Sequence, residues 1–270
     1  MASPLAFIGG GNMAGAILGG LLRAGQVKAA DIIVVEPHEP QRDKLRADFG
    51  IEALATGDAS LAQAGTIVWA VKPQLFGAAA EPLRAWLGAA LHLSVMAGIP
   101  SSSLVRLTGS ERIVRSMPNT PALIGQGMAG LYARPAVSAD ERAAVEQLLR
   151  PTGQTLWVDT EDDLDAVTAL SGSGPAYFFL FVEAMMAAAV DMGLSAEQGR
   201  RLALATCAGA AALGLNSPES PTTLRERVTS KGGTTHAAIT SMQADGVDAA
   251  IRRAVLAAQR RAAELGREFG

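Results

Sequence analysis

Cysteine is nearly missing: Cys207 stands alone among 270 residues, which excludes an internal disulfide and any multi-cysteine metal site. One thiol gives no reason to expect an oxidising compartment. Aromatic residues make up only 4% of the chain, so the core must come from Ala, Leu, Val, Ile and Met, and small side chains imply close helix–helix contacts. Charge is also sparse, at 18% against 49% apolar residues, which rules out a disordered chain. Neither sign dominates: 23 basic residues face 26 acidic ones, a net charge of −3, so a dedicated nucleic-acid binder is not expected. The three histidines, His38, His92 and His236, are far apart and lack ligand spacing, so no metal site is expected. The first residues show no basic segment leading into a long apolar one, so no signal peptide is expected. The longest uncharged apolar run of interest, Leu202–Leu215, falls short of the ~18 residues that span a bilayer. The expectation is a cytoplasmic protein with no membrane partner.

What is present is a regular alternation. Short apolar runs at Leu5–Ile8, Ile32–Val35, Ile51–Leu54, Thr66–Val71, Leu91–Met96 and Arg112–Met117 read as strands. Helical periodicity fills Asn12–Leu22, Gln41–Phe49 and Gln74–Leu87 between them. The pattern predicts βαβ units and a parallel sheet covered on both faces, an α/β fold. Beyond Pro121 it loosens into a strand at Gly127–Ala133, a helix at Ala139–Leu149 and a strand at Thr155–Val158. After Asp159 every segment reads as helix: Leu164–Leu170, Pro175–Met192, Ala196–Leu215, Pro221–Val228, Thr235–Ala244 and Val247–Leu265. This change places a domain boundary near residue 160, giving a dinucleotide-type α/β domain over 1–160 and a helical domain over 161–270. Tyr177–Val182 and Met185–Val190 are apolar almost all round, as in a helix buried on every side. So small a bundle has limited interior, and a second copy of the chain is expected to cover part of this surface, most simply as a two-fold dimer.

Five segments carry chemistry. Gly9, Gly10, Gly11, Asn12, Met13 and Ala14 fit G-x-G-x-x-A between a strand and a helix, the setting a dinucleotide-binding turn requires. Gly9 permits the tight turn, Gly11 lets backbone approach a pyrophosphate, and Ala14 allows close helix–strand packing. The helix start offers free N–H groups to the phosphates. Glu36 ends the second strand, where a carboxylate accepts from the adenosine ribose and repels a 2′-phosphate. That favours NADH over NADPH; the alternative is a Glu36 that faces solvent. Ala70, Val71, Lys72 and Pro73 leave a strand at the carboxyl edge of the sheet, where ligands bind in open α/β folds. Met117, Pro118 and Asn119 lie at the same edge, and the Asn119 amide both donates and accepts, as a nicotinamide carboxamide requires. In the helical half, Ser171 and Ser173 precede a Gly-Pro helix start at Gly174–Pro175. The loop Thr229–Thr235 offers clustered N–H and hydroxyl groups as an anion nest for a substrate carboxylate. Generic turns and caps are the competing reading for these loops. Cys207, in an apolar helix, reads as packing.

Taken together, GGGNMA (Gly9–Ala14), VKPQ (Val71–Gln74), RSMPNTP (Arg115–Pro121), LSGSGPAY (Leu170–Tyr177) and TSKGGTT (Thr229–Thr235) resemble the pyrroline-5-carboxylate reductase family in order and spacing along essentially the whole chain. The resemblance implies an N-terminal Rossmann dinucleotide-binding domain and a C-terminal all-helical dimerisation domain that interleaves with its copy, with dimers in the family often assembling into decamers. It implies the reduction of 1-pyrroline-5-carboxylate to L-proline by NADPH or NADH, at a site between one subunit's nucleotide domain and its partner's helices. It points to Thr168 as the hydroxyl near the ring nitrogen. It also assigns substrate binding to Ser171, Ser173, Ser230, Gly233, Thr234 and Thr235. Lys231 stands where the family usually has Pro, and Glu36 is not what a strong NADPH user shows. Two rivals remain: another Rossmann-plus-helical imine or hydroxyacid dehydrogenase, and a dimeric NAD(P)-binding sensor without turnover.

Overall fold

The computed structural model describes residues 4–88 and 90–269. Its centre is a seven-stranded sheet in the order β2-β1-β3-β4-β5-β6-β7. The strands are β1 (Leu5–Ile8), β2 (Ile32–Val35), β3 (Thr66–Trp69), β4 (Leu91–Ser94), β5 (Ile113–Met117), β6 (Gly127–Ala133) and β7 (Gly153–Trp157). The first five are mutually parallel, with Phe7 level with Val34 on one side and Val68 on the other. β6 runs antiparallel to β5, and β7 parallel to β6, so the parallel sheet expected for the first half is extended by one antiparallel junction. The cause is the short 118–126 link: it has room for a 3₁₀ turn but not for the crossover helix that a parallel return needs.

The strands alternate their side chains between two cores. Leu5 and Phe7 point to the face covered by α1 (Asn12–Arg23), α2 (Glu39–Phe49) and α6 (Ala139–Leu149), where Ile17, Leu18, Leu45 and Leu149 are buried. Ala6 and Ile8 point to the other face, against Phe76 of α3 (Phe76–Ala80), Leu87 of α4 (Arg84–Leu87) and Leu104 of α5 (Ser101–Thr108). Burial on both faces is why these strands read as unbroken apolar runs.

Three local expectations are corrected. Ile51–Leu54 is not a strand: only Leu54 bridges to Val35, protecting the edge of β2. The helix expected over Gln74–Leu87 is split into α3 and α4 by a 3₁₀ turn at Glu81–Leu83, because Pro82 has no N–H to give and its ring clashes with the preceding turn. The third strand stops at Trp69, which leaves Ala70–Lys72 as loop. The sequence reading also missed α5, whose three leading serines hide the apolar period and which ends at Gly109 with φ +73°.

The chain divides into two compact units, Met1–Ser173 with Ala258–Gly270, and Gly174–Ala257. Composition changes at 160, but compactness changes later. α7 (Asp163–Val167) belongs to the first unit because Val167 fills the space over Gly130 of β6 and Leu164 is buried. The end of α12 (Val247–Phe269) also returns to the first unit, where Phe269 packs on the second core.

The second unit consists of α8 (Gly174–Asp191), α9 (Ala196–Leu215), α10 (Pro221–Arg227), α11 (Thr234–Ala244) and the first part of α12. Gly199 lets α9 approach α8 closely, since a Cβ there would lie 2.8 Å from the Ala189 methyl. The Ser195–Gln198 capping box starts α9. Far from being enclosed within one chain, α8 buries only Val182 and Ala189, and Phe179 is 59% exposed. The continuous helical run Asp163–Asp191 is long and apolar enough, by length and composition alone, to cross a membrane, which corrects the expectation that no such run exists.

Candidate active site

The glycine loop is forced by its surroundings. Gly9 has φ +97°, and a Cβ there would sit 2.7 Å from the Ala70 carbonyl oxygen. The loops after β1 and β3 therefore lie side by side, and Gly9 and Ala70 hydrogen-bond to the strands flanking them. A Cβ on Gly10 would strike Leu45 of α2 at 2.6 Å. Above Gly11 the space is open: a methyl group at that position would meet nothing within 4 Å. Asn12 and Met13 follow in the first turn of α1, and buried Ala14 seats that helix on the sheet. The first-turn N–H groups have no partner within the helix, and the open side of Gly11 gives a phosphate access to them.

Glu36 does not face solvent. Its Oε2 accepts from the Gly10 N–H at 2.8 Å, and its Oε1 accepts from the His38 N–H at 2.9 Å. Gln41 Nε2 donates to the Gly10 carbonyl at 2.6 Å, and Arg42 Nη1 donates to the Glu36 and Pro37 carbonyls. The acidic side chain is thus fixed at the rim of the glycine loop, with lone pairs left over on both oxygens. Val71 is half-buried beside Gly9, Lys72 is exposed, and Pro73 opens the next 3₁₀ turn.

A second cluster forms at the end of β5. Asn119 Oδ1 accepts from the Met128 N–H at 2.9 Å, while Nδ2 lies 3.2 Å from both the Ser171 carbonyl and the Ser171 hydroxyl. The Met117 methyl lies over Gly172, where a Cβ would meet it at 2.7 Å, and half-buried Pro118 links Met117 to Asn119. Ser171 and Gly172 belong to a π-helical turn, Thr168–Gly172, closed by the Ser173 N–H donating to the Thr168 carbonyl at 2.8 Å. Such turns occur often at functional sites. Within it, the Thr168 hydroxyl donates to the Leu164 carbonyl at 2.7 Å. The structure therefore gathers Met117, Pro118, Asn119, Thr168, Ser171 and Ser173, and the Asn119 amide is spent on this joint rather than held open.

Sequence reasoning missed the anchor of that cluster. Glu161 accepts from the Ser101 N–H at 2.6 Å, from the Ser101 hydroxyl at 2.5 Å and from Arg115 Nη1 at 2.8 Å. Burial pushes the Glu161 carboxyl up, but the Ser101 groups and the Arg115 guanidinium outweigh it and hold it below its usual range. Arg115 stood inside the RSMPNTP motif; Glu161 was lost among neighbouring aspartates, and only the fold pairs them.

The loop Thr229–Thr235 lies in the second unit. Gly232 turns it with φ +75°, the Gly233 N–H donates to the Ser230 carbonyl at 3.0 Å, and Thr234 begins α11. Gly233 caps that helix without a side chain, so the N–H groups of Thr234 and Thr235 begin it unoccupied by a capping oxygen. Among the described residues the exposed Ser230 hydroxyl makes no hydrogen bond.

Comparison with known proteins agrees with this anatomy. Residues 161–265 match the family model "Pyrroline-5-carboxylate reductase dimerisation", and residues 4–98 match "NADP oxidoreductase coenzyme F420-dependent". A pyrroline-5-carboxylate reductase of Pseudomonas aeruginosa is 47% identical, with 100% of each chain covered. The solved pyrroline-5-carboxylate reductase of Coxiella burnetii superposes with a TM-score of 0.90 at 36% identity, covering 98% of this chain and 99% of that one. The Plasmodium falciparum pyrroline carboxylate reductase, solved with NADP bound, gives a TM-score of 0.86 at 28% identity, with 98% of each chain covered. Likeness of this extent, end to end, establishes that the chain belongs to the pyrroline-5-carboxylate reductase family.

Proposed function

We propose that the chain reduces 1-pyrroline-5-carboxylate to L-proline with a reduced nicotinamide dinucleotide, and that it prefers NADH. The observation that carries the reading is the Asn119–Ser171 joint, which ties a hydroxyl-bearing turn to the loop after β5, at the sheet edge where a dinucleotide's reactive end belongs. The residues present fit the cofactor: the open face of Gly11 and the start of α1 suit a pyrophosphate, and Glu36 suits a ribose diol. Bound there, the reduced nicotinamide supplies the hydride. Gly9–Ala14 seat the phosphates, Ala70–Pro73 and Met117–Asn119 border the chain of the dinucleotide, and Glu36 disfavours a 2′-phosphate by like charge.

The imine carbon accepts hydride best when the ring nitrogen is protonated. With its own proton committed to Leu164, the Thr168 hydroxyl acts as an acceptor for that N–H and so favours the iminium, while solvent supplies the proton. Ser171 and Ser173 flank the ring, and Ser230, Gly233, Thr234 and Thr235 hold the substrate carboxylate through N–H and hydroxyl groups. The apolar surface of α8 and α9 is covered by a second copy, and dimers assemble further into decamers in the cytoplasm.

A steady-state assay with 1-pyrroline-5-carboxylate, run with NADH and with NADPH on the wild type and on Thr168→Val, tests this reading. Turnover with both cofactors, a higher kcat/KM with NADH, and a kcat about tenfold lower in Thr168→Val are expected. Cofactor binding without turnover would instead identify a sensor, and an unaltered Thr168→Val would remove that hydroxyl from the reaction.

A further inference from the structure

The first unit contains a cavity of about 540 Å³ between the loop after β4, residues 161–165 and the end of α12. Its lining is divided by charge. Arg115, Arg260 and Arg267 are basic, and Glu161, Asp162 and Asp165 are acidic, so the cavity is neutral in sum but bipolar. Arg115 and Glu161 already pair at 2.8 Å and form a fixed base, with Glu161 held again by Ser101.

Among the described residues, Arg260, Arg267, Asp162 and Asp165 make no ion pair within 4.0 Å; Arg260, Arg267 and Asp162 are exposed, and Asp165 is half-buried. Arg260 and Arg267 are two turns apart on one face of α12. Asp162 and Asp165 share one side at the start of α7. Burial, with the nearby Asp162 and Glu161 charges, holds the Asp165 carboxyl above its usual value against the pull of Arg115 and Arg267, so this group gains from a further cation brought to it. A simple anion would meet only the arginines and a simple cation only the aspartates. A small molecule carrying both charges on groups bonded to one carbon can meet both sides.

We propose that this cavity binds an α-amino or α-imino acid as its zwitterion, the carboxylate on Arg260 and Arg267 and the ammonium on Asp162 and Asp165. The charged side chains stay partly hydrated, so the affinity belongs in the millimolar range. The site is additional to the reduction proposed above, whose carboxylate contacts lie on Ser230 and its loop.

Isothermal titration of the full chain with L-proline tests the assignment, with acetate and ethylamine as single-charge probes. Acetate and ethylamine should each bind about tenfold more weakly than L-proline. An Arg260→Gln/Arg267→Gln double variant and an Asp165→Asn variant should each weaken L-proline by about tenfold, with turnover in its absence unchanged as a check on folding. Ser230→Ala should keep this binding while raising the Michaelis constant for the imine. The proposal is overturned if acetate matches L-proline, if the double variant binds as the wild type does, or if Ser230→Ala abolishes the heat. Absence of imine turnover in the wild type would sink the enzymatic reading and leave these binding outcomes as decisive as before.

Discussion

Glu36 is the side chain on which the proposed choice of cofactor turns. Its carboxylate braces Gly10 and His38, and the function proposed above sets it against the adenosine ribose. Glu36→Gln keeps an oxygen for the Gly10 N–H but removes the charge. The NADPH to NADH ratio of kcat/KM should rise about tenfold, and an unchanged ratio would show that the charge does not choose the cofactor. His92 is a residue-scale effect of another kind. It is fully buried on β4, its Nδ1 accepts from Trp69 Nε1 at 3.0 Å, and Nε2 has no partner among the described residues. Burial, helped by the Arg112 charge, lowers its pKa from 6.5 to about 4. Between those values the unfolded chain takes up a proton at this site and the folded chain does not. Stability therefore falls as pH falls through this window, by up to about 3 kcal/mol, and levels off below it. The drop in urea midpoint from about pH 7 to about pH 5 should be smaller in His92→Gln, which keeps an acceptor for Trp69 without titrating.

At the scale of elements, the seating of α7 on the sheet decides where the Thr168–Gly172 turn lies. Val167 Cγ1 would be 2.6 Å from a Cβ on Gly130, so β6 has no room for a larger residue there. Gly130→Ala should cost about 1–3 kcal/mol in chemical denaturation, and adding Val167→Ala should recover much of it. No recovery would place the strain elsewhere. Most of the sheet was legible because strands buried on both faces leave unbroken apolar runs, as in Leu5–Ile8 and Ile32–Val35. The reversal of β6 was not, because period-2 patterns carry no direction. The π turn was equally hidden, since one extra residue in a helical turn changes no composition. The glycine loop and the Asn119 loop were found by motif, while the Glu161 anchor needed the long-range pairing that only the fold reveals.

For the molecule as a whole, the helical unit leaves Phe178, Phe179, Leu180 and Phe181 of α8 largely uncovered in one chain. Exposed aromatic surface of this size marks an association face, and the family model over 161–265 describes dimerisation. Phe179→Glu should lower the mass measured by light scattering from that of an oligomer to that of one chain, and an unchanged mass would move the association face off this side of α8. A different consequence follows from the path of the backbone. Ala258–Gly270 is grouped with the nucleotide-binding half, and Phe269 and Leu265 press on the loop at Gly98. During synthesis, then, the strands of the second core are made well before the segment from Ala258 that seals it, with the whole helical unit in between. Truncating the chain before Leu265 should weaken binding of the nicotinamide dinucleotide, read as a higher Kd in a fluorescence titration, although the proposed glycine loop lies far away in sequence.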